Sequence, residues 1–148
     1  YVLFTSVHRF DYAMKVNRQA ANTGATVLPV ICDSSGAFIG PILGPEGQPC
    51  LECWWTHRQA HFKTVDWKLY RHSGLQNDES KKNWPAHFWS GLNYHLENEL
   101  MKILIEHLMP QSLYGCVILD FFNGSVGFEN LHRRPGCLIC KTPIKGLL

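Results

Sequence analysis

The sequence predicts an α/β domain in which helices pack on a sheet that contains β-hairpins. Three observations predict this class: apolar residues recur at helical spacing from Phe10, residues 26–32 form a short apolar run rich in β-branched side chains, and the Asn123-Gly124 dipeptide separates two apolar segments. The chain has 148 residues, of which 45% are apolar, and this is enough for one core. We therefore expect a single domain.

Composition narrows the function classes. The formal net charge is +2, and the basic residues are scattered rather than clustered, so we do not expect a nucleic-acid partner. No apolar run approaches the ~20 residues that a bilayer span needs, and the N-terminus does not resemble a secretion signal. We expect a protein of the cytoplasm with no membrane partner.

The domain divides into three stretches, 1–49, 50–84 and 85–148. We expect a helix-strand-hairpin unit, then a first cysteine pair with a crossover, and then a long helix with a hairpin that leads to a second cysteine pair. Because the sequence begins at Tyr1 rather than Met, we also expect it to be a fragment of a longer chain.

In the first stretch, helical spacing predicts a helix over 10–22 that stops at Gly24. The apolar run 26–32 predicts a buried strand, although Pro29 removes a backbone donor and favours an edge or irregular position. A turn at 33–36 then returns the chain as a second strand over 37–43, followed by a loop.

In the remaining stretches, residues 54–70 are interpreted as helical and 71–83 as a mobile crossover loop. Pro85 favours the start of the longest helix, which ends near Met109-Pro110. Its predicted core face comprises Phe88, Leu92, Leu96, Leu100, Ile103, Leu104 and Leu108. Segments 115–122 and 125–131 are predicted to form a hairpin, with Val126 and Phe128 alternating with small or polar residues.

Four of the six cysteines form two CxxC pairs: Cys50 with Cys53 and Cys137 with Cys140. Two such pairs can supply the four thiolates of a closed tetrahedral zinc site, which leaves no open position for catalysis. Pro49 before one pair and Pro135-Gly136 before the other favour knuckle-like turns at the ends of extended segments. We predict a structural zinc ion; disulfides or a redox CxxC are the alternatives.

The other reactive side chains have simpler interpretations. Cys32 and Cys116 lie in predicted strands, where a lone cysteine is usually a small buried apolar residue. His57 and His61 have helical metal-ligand spacing but lack the glutamate of a zinc-protease helix, so we interpret them as surface residues. Asp120, Glu97 and Glu99 are interpreted as solvated or capping acids, and Trp54 and Trp55 as packing residues. No glycine-rich phosphate loop is present, and no catalytic residue is assigned.

The cysteine-flanking segments resemble the C-terminal half of the ThiF/MoeB superfamily, the ubiquitin-activating-type adenylating fold. The matching segments are VNR at 16–18, ATVLPV at 25–30, GPEGQPCLEC at 44–53 and RPGCLIC at 134–140. Together they span nearly the whole chain. The IGPIL segment at 39–43 looks most like the zinc-binding partner proteins of azole-forming cyclodehydratases of the microcin B17 type.

This resemblance implies the C-terminal portion of a Rossmann-like adenylating domain. It also implies a role in presenting a ribosomal precursor peptide to a YcaO-type enzyme for bacteriocin biosynthesis, and a homodimer, which is common in the superfamily. Active members carry an Asp and an Arg upstream of the helix Asn that corresponds to Asn17, where this chain has His8 and Ala13. The resemblance therefore favours a non-catalytic scaffold.

Two alternatives stay open. One is an ATP- and Mg²⁺-dependent adenylating enzyme that activates the C-terminus of a small sulfur-carrier protein or peptide. The other is a free-standing zinc-binding interaction module.

Overall fold

The computed structural model describes residues 1–33, 36–44, 47–61, 86–105, 107–121 and 123–140, with the side chains of His8 and His61 excepted. The predicted crossover loop, the second half of the helix predicted over 54–70, and Pro85 lie outside these ranges. In the described part of the chain, no helix has the length and apolar content needed to cross a membrane.

One five-stranded mixed sheet organises the described residues. Its strands are β1 (Val2–Ser6), β2 (Leu28–Cys32), β3 (Gly36–Ile39), β4 (Gly115–Asp120) and β5 (Ser125–Asn130), which lie side by side in chain order. β1 pairs in parallel with β2, whereas the other neighbours are antiparallel. The two predicted hairpins are confirmed, but β1 was missed because its VLFTS sequence is short and only partly buried.

Helices cover both faces of the sheet. Helices α1 (Phe10–Thr23) and α2 (Leu51–His61) pack on one face, and α3 (Ala86–Leu104) packs on the other. The first face buries Ala13, Ala20, Ile31, Leu51, Trp54 and Cys116, and the second buries Val30, Ile39, Phe88, Leu92 and Val117. Because β2, β3 and β4 are buried on both faces, their sequences are nearly continuous apolar runs.

The expected edge position of Pro29 is wrong. β2 lies between β1 and β3, and its five residues are all buried. The Pro29 carbonyl accepts a hydrogen bond from the N–H of Gly40, 2.9 Å away. The N and the O of one strand residue point to the same side of the strand. The nitrogen of Pro29, which carries no hydrogen, therefore points beyond the end of β3.

β3 is also shorter than predicted. It ends at Ile39, and Gly40 has a φ of 99° at the cis Gly40–Pro41 peptide. A Cβ at Gly40 would lie 2.6 Å from the carbonyl oxygen of Gly115, so the close approach of the chain to β4 requires glycine. Leu43, which was predicted to end this strand, instead pairs with Val27 as an isolated antiparallel β-bridge.

The helix predictions are correct in type and partly wrong at the ends. α1 ends at Thr23 with Gly24 in the left-handed conformation at a φ of 70°, as the sequence predicted. In α3 the predicted core face is correct for Phe88, Leu92 and Leu96. It is wrong for Leu104, which is 76% exposed, and for Leu108, which is half-exposed beyond the helix end.

β4 and β5 form the predicted hairpin, with Asp120 opposite Ser125. β4 ends at Asp120 and β5 at Asn130, each one or two residues before the predicted end. Val126 and Phe128, the apolar residues of the alternating pattern in β5, are 53% and 43% exposed. Their side chains therefore face outward from the described part of the structure.

Glu99 is a buried acid that joins α3 to the turn before β4. Its Oε2 accepts hydrogen bonds from the N–H and the hydroxyl of Ser112 at 2.8 and 2.7 Å, and its Oε1 accepts from Lys102 at 2.9 Å. Burial raises the pKa of this carboxyl, but the hydrogen bonds from Ser112 and Lys102 outweigh burial and leave the pKa below its ordinary value. The sequence-based interpretation of Glu99 as a solvated acid is wrong, because Glu99 lies inside α3 and is 2% exposed.

We expect Glu99→Gln to lower the free energy of unfolding by about 1–3 kcal/mol at pH 7, because a charged acceptor for two buried donors is lost. The folded-state pKa lies below the unfolded one, so the stabilisation is full above the ordinary value of 4.5 and is lost as the pH falls through the lower folded-state pKa. The difference between wild type and variant should therefore shrink at acid pH. Urea unfolding between pH 7 and pH 3 measures it.

Glu97→Gln is the matched control, because Glu97 lies exposed on the same helix and the substitution removes the same charge. A Glu99→Gln variant as stable as this control at pH 7 would contradict the assigned role of the buried carboxylate.

Candidate metal centre

The two cysteine pairs meet at one end of α2. Cys50 directly precedes the helix, Cys53 lies in its first turn, and Cys137 and Cys140 lie in the turns that follow β5. The four sulfur atoms all lie within 4.8 Å of one another, and three of the four residues are buried. The cluster could hold a metal ion.

The spacing of the sulfur atoms fits a tetrahedral thiolate site. The Sγ–Sγ distances are 3.9 Å for Cys50 and Cys53, 3.7 Å for Cys50 and Cys137, and 3.5 Å for Cys53 and Cys140. A tetrahedron with Zn–S bonds of ~2.3 Å has sulfur atoms about 3.8 Å apart. All four cysteines are free thiols in the structure, which favours a metal over the disulfide alternative.

Cys50 directly precedes α2 and Cys53 lies in its first turn, so the prediction that this pair sits on a knuckle-like turn is wrong. α2 begins at Leu51, three residues before the predicted helical segment. Leu51 is fully buried and Trp54 is 3% exposed, and their three-residue separation matches one helical turn facing the core. Cys50 and Cys53 each precede one of these buried residues by one position. They therefore lie about one helical turn apart, beside the face that packs against the core.

The second pair lies in turns, as predicted. Gly136 has a φ of 74°, which glycine adopts without strain, and the Cys137 N–H donates to the carbonyl of Arg134 at 3.1 Å. The backbone N–H of Arg134 donates to Cys53 Sγ at 3.4 Å, and its guanidinium lies 3.5 Å from Glu52. These contacts hold the second pair against the first turn of α2.

The pKa values of Cys50, Cys53 and Cys140 are shifted, and not all in the same direction. A hydrogen bond from the Cys50 thiol, together with the N–H of Arg134, lowers the pKa of Cys53 to about 4. The same hydrogen bond and burial raise the pKa of Cys50, and burial raises that of Cys140 to about 12. A divalent cation would favour the thiolate form of all four cysteines.

A second set of contacts ties α2 to β5. Glu129 lies 2.9 Å from His57 Nδ1 and 3.2 Å from Arg58 Nε, and the Arg58 guanidinium lies 4.7 Å from the centre of the Phe38 ring. Sequence reasoning missed Glu129, because β5 and α2 are far apart in the chain. The sequence signal that could have found Glu129 is that it is the single charged residue of the strand predicted over 125–131.

The remaining candidates match their simpler interpretations. Cys32 and Cys116 are buried on opposite faces of the sheet, and burial raises the pKa of both thiols. Asp120 accepts hydrogen bonds from the backbone and side chain of Asn123 in the hairpin turn. Trp54 packs against Phe10 and Phe38, and Trp55 stacks on Phe10 at 4.5 Å.

No family model and no curated protein matches this sequence. Solved structures do match its fold. E. coli MccB in complex with MccA is 17% identical with a TM-score of 0.67, and the match covers 95% of this chain and 39% of MccB. A structure of MccB with ATP gives 18% identity and the same TM-score and coverage.

A heterocyclase in complex with substrate and cofactor also matches, at 20% identity and a TM-score of 0.67, over 94% of this chain and 20% of the heterocyclase. The chain thus spans about two fifths of MccB and one fifth of the heterocyclase. The predicted fold class is confirmed: this is an α/β fold with a mixed sheet that matches the C-terminal portion of MccB-like adenylating folds.

Proposed function

We propose that this chain is the zinc-stapled part of a scaffold protein in ribosomal peptide modification. In this role it helps to present a precursor peptide to a YcaO-type cyclodehydratase that forms thiazoles or oxazoles. The observation that carries the proposal is the four-cysteine cluster within a fold shared with MccB and a heterocyclase. Thiolate ligands fit the reducing cytoplasm, which is the proposed location.

The proposed metal is zinc, with Cys50, Cys53, Cys137 and Cys140 as its ligands. Four thiolates complete the coordination of the ion, so its chemistry is to hold two segments together rather than to activate water. Burial of three of the four cysteines supports a structural role.

The residues near Asn17 support a scaffold rather than a catalyst. Ala13, where the resemblance expects a polar catalytic residue, lies on the buried face of α1 and has no polar side-chain group that could contact a nucleotide. An ATP-dependent adenylating enzyme is the second candidate, favoured by the likeness to a structure of MccB with ATP. The proposed assembly includes a homodimer, as the family resemblance implies.

The first test uses the full-length protein that carries this chain. We expect a folded, zinc-loaded sample to show no ATP–pyrophosphate exchange, because Ala13 supplies no polar group for ATP. We also expect it to bind its precursor peptide and to stimulate a YcaO-type partner. An adenylating enzyme is the positive control for exchange, and a scrambled peptide is the control for binding.

Pyrophosphate exchange above background would instead establish the adenylating enzyme. Loss of both exchange and peptide binding in a zinc-loaded protein would overturn the scaffold in favour of an unrelated zinc-binding module.

The second test removes one proposed ligand. We expect Cys50→Ser to abolish stoichiometric zinc binding and to cause unfolding or aggregation, because metal-binding energy is part of the folding energy in such sites. Zinc is measured by elemental analysis and folding by circular dichroism.

Cys32→Ala is the matched control, since Cys32 is a buried thiol outside the cluster and the variant should retain zinc. A well-folded, soluble Cys50→Ser protein would refute the structural role of the metal.

A further inference from the structure

The peptide that joins Cys50 to Leu51 is held at both ends. Its N–H, on Leu51, donates to Oδ1 of Asn17 in α1 at 3.4 Å. Its carbonyl, on Cys50, accepts from the N–H of Trp54 at 3.0 Å. The first of these hydrogen bonds joins α1 to α2, and the second closes the first turn of α2.

A peptide unit is planar, so two hydrogen bonds on its opposite edges fix its rotation. The plane includes the Cα of Cys50, and its orientation sets the direction in which the Cys50 side chain leaves the backbone. The first N–H groups of a helix have no acceptor within the helix, and because Leu51 is fully buried its acceptor has to come from another part of the protein. Asn17 supplies it for Leu51.

The burial of Asn17 is costly unless its oxygen has a use. The residue is 1% exposed, and its Nδ2 has no hydrogen-bond partner among the residues that the structure describes. An unpaired buried amide donor costs free energy, and an apolar side chain of similar size would avoid that cost. The hydrogen bond from the Leu51 N–H is an interaction that asparagine can accept at this position and leucine cannot.

We propose that Asn17 is a positioning residue of the metal centre, which orients Cys50 through the Cys50–Leu51 peptide. The inference rests on the proposed zinc site and adds a residue of α1 to its outer shell. Outer-shell hydrogen bonds of this kind typically change metal affinity by about 10–100-fold.

The test compares zinc release from zinc-loaded full-length protein to a chromogenic chelator. Asn17→Leu should release zinc about 10-fold or more faster than wild type. Two control variants remove stability without touching the Cys50–Leu51 peptide: Ala20→Gly, buried on the same helix, and Glu99→Gln, on the opposite face of the sheet. The free energy of unfolding is measured for each protein.

The proposal requires Asn17→Leu to release zinc faster than controls of equal stability. If all variants follow one relation between stability and release rate, Asn17 contributes only to packing and the proposal fails. If wild-type protein binds no zinc, the zinc proposal fails as well, so the two failures are distinct.

A measurement on wild type alone covers the case in which Asn17→Leu does not fold. Leu51 and Glu52 both lie in the first turn of α2, where neither N–H has an acceptor within the helix. Amide hydrogen exchange in zinc-loaded protein should show protection at Leu51 and faster exchange at Glu52. Equal rates at the two amides would overturn the proposed hydrogen bond to Asn17.

Discussion

The approach of the two cysteine pairs joins segments that are 87 residues apart in the chain. Closing so long a loop costs conformational entropy, which the hydrogen bonds among the four sulfur atoms offset only in part. A shared divalent cation would offset it, because metal–thiolate bonds are far stronger than thiol contacts. The contacts of Glu129 with α2 and of Arg134 with Cys53 lie on the segments that this closure joins.

Polar groups inside the fold lie where elements must be joined. Glu99 links α3 to the turn that precedes β4, and Asn17 links α1 to the first turn of α2. In each case the side-chain oxygen accepts a hydrogen bond from a backbone N–H that has no acceptor within the N–H group's own helix or turn. Apolar burial determines which faces of the helices meet the sheet, and these few hydrogen bonds determine how the helix ends are oriented.

The proposed scaffold role draws on the position of the cysteine cluster in the fold. The cysteine cluster lies where the start of α2 meets the turns that follow β5, and a metal bound there would hold these two segments together. The described residues around the cluster pack against the core or form ion pairs. The likeness to MccB and to a heterocyclase is one of fold at 17–20% identity, and the proposed peptide-modifying role rests on that likeness together with the cysteine cluster.

The sequence by itself determined the fold class, α1 with its Gly24 stop, the β4–β5 hairpin and the identity of the four clustered cysteines. These features depend on local periodicity, turn chemistry and residue spacing, which are readable without knowing the partners of each segment. Only the tertiary structure decided that Pro29 lies in an inner strand, that Leu104 faces outward, and that Cys53 lies on a helix. It also brought together Glu129 with α2 and Asn17 with Leu51. Each of these depends on which distant segment packs alongside, and that is set by the global burial of apolar surface rather than by neighbours in the chain.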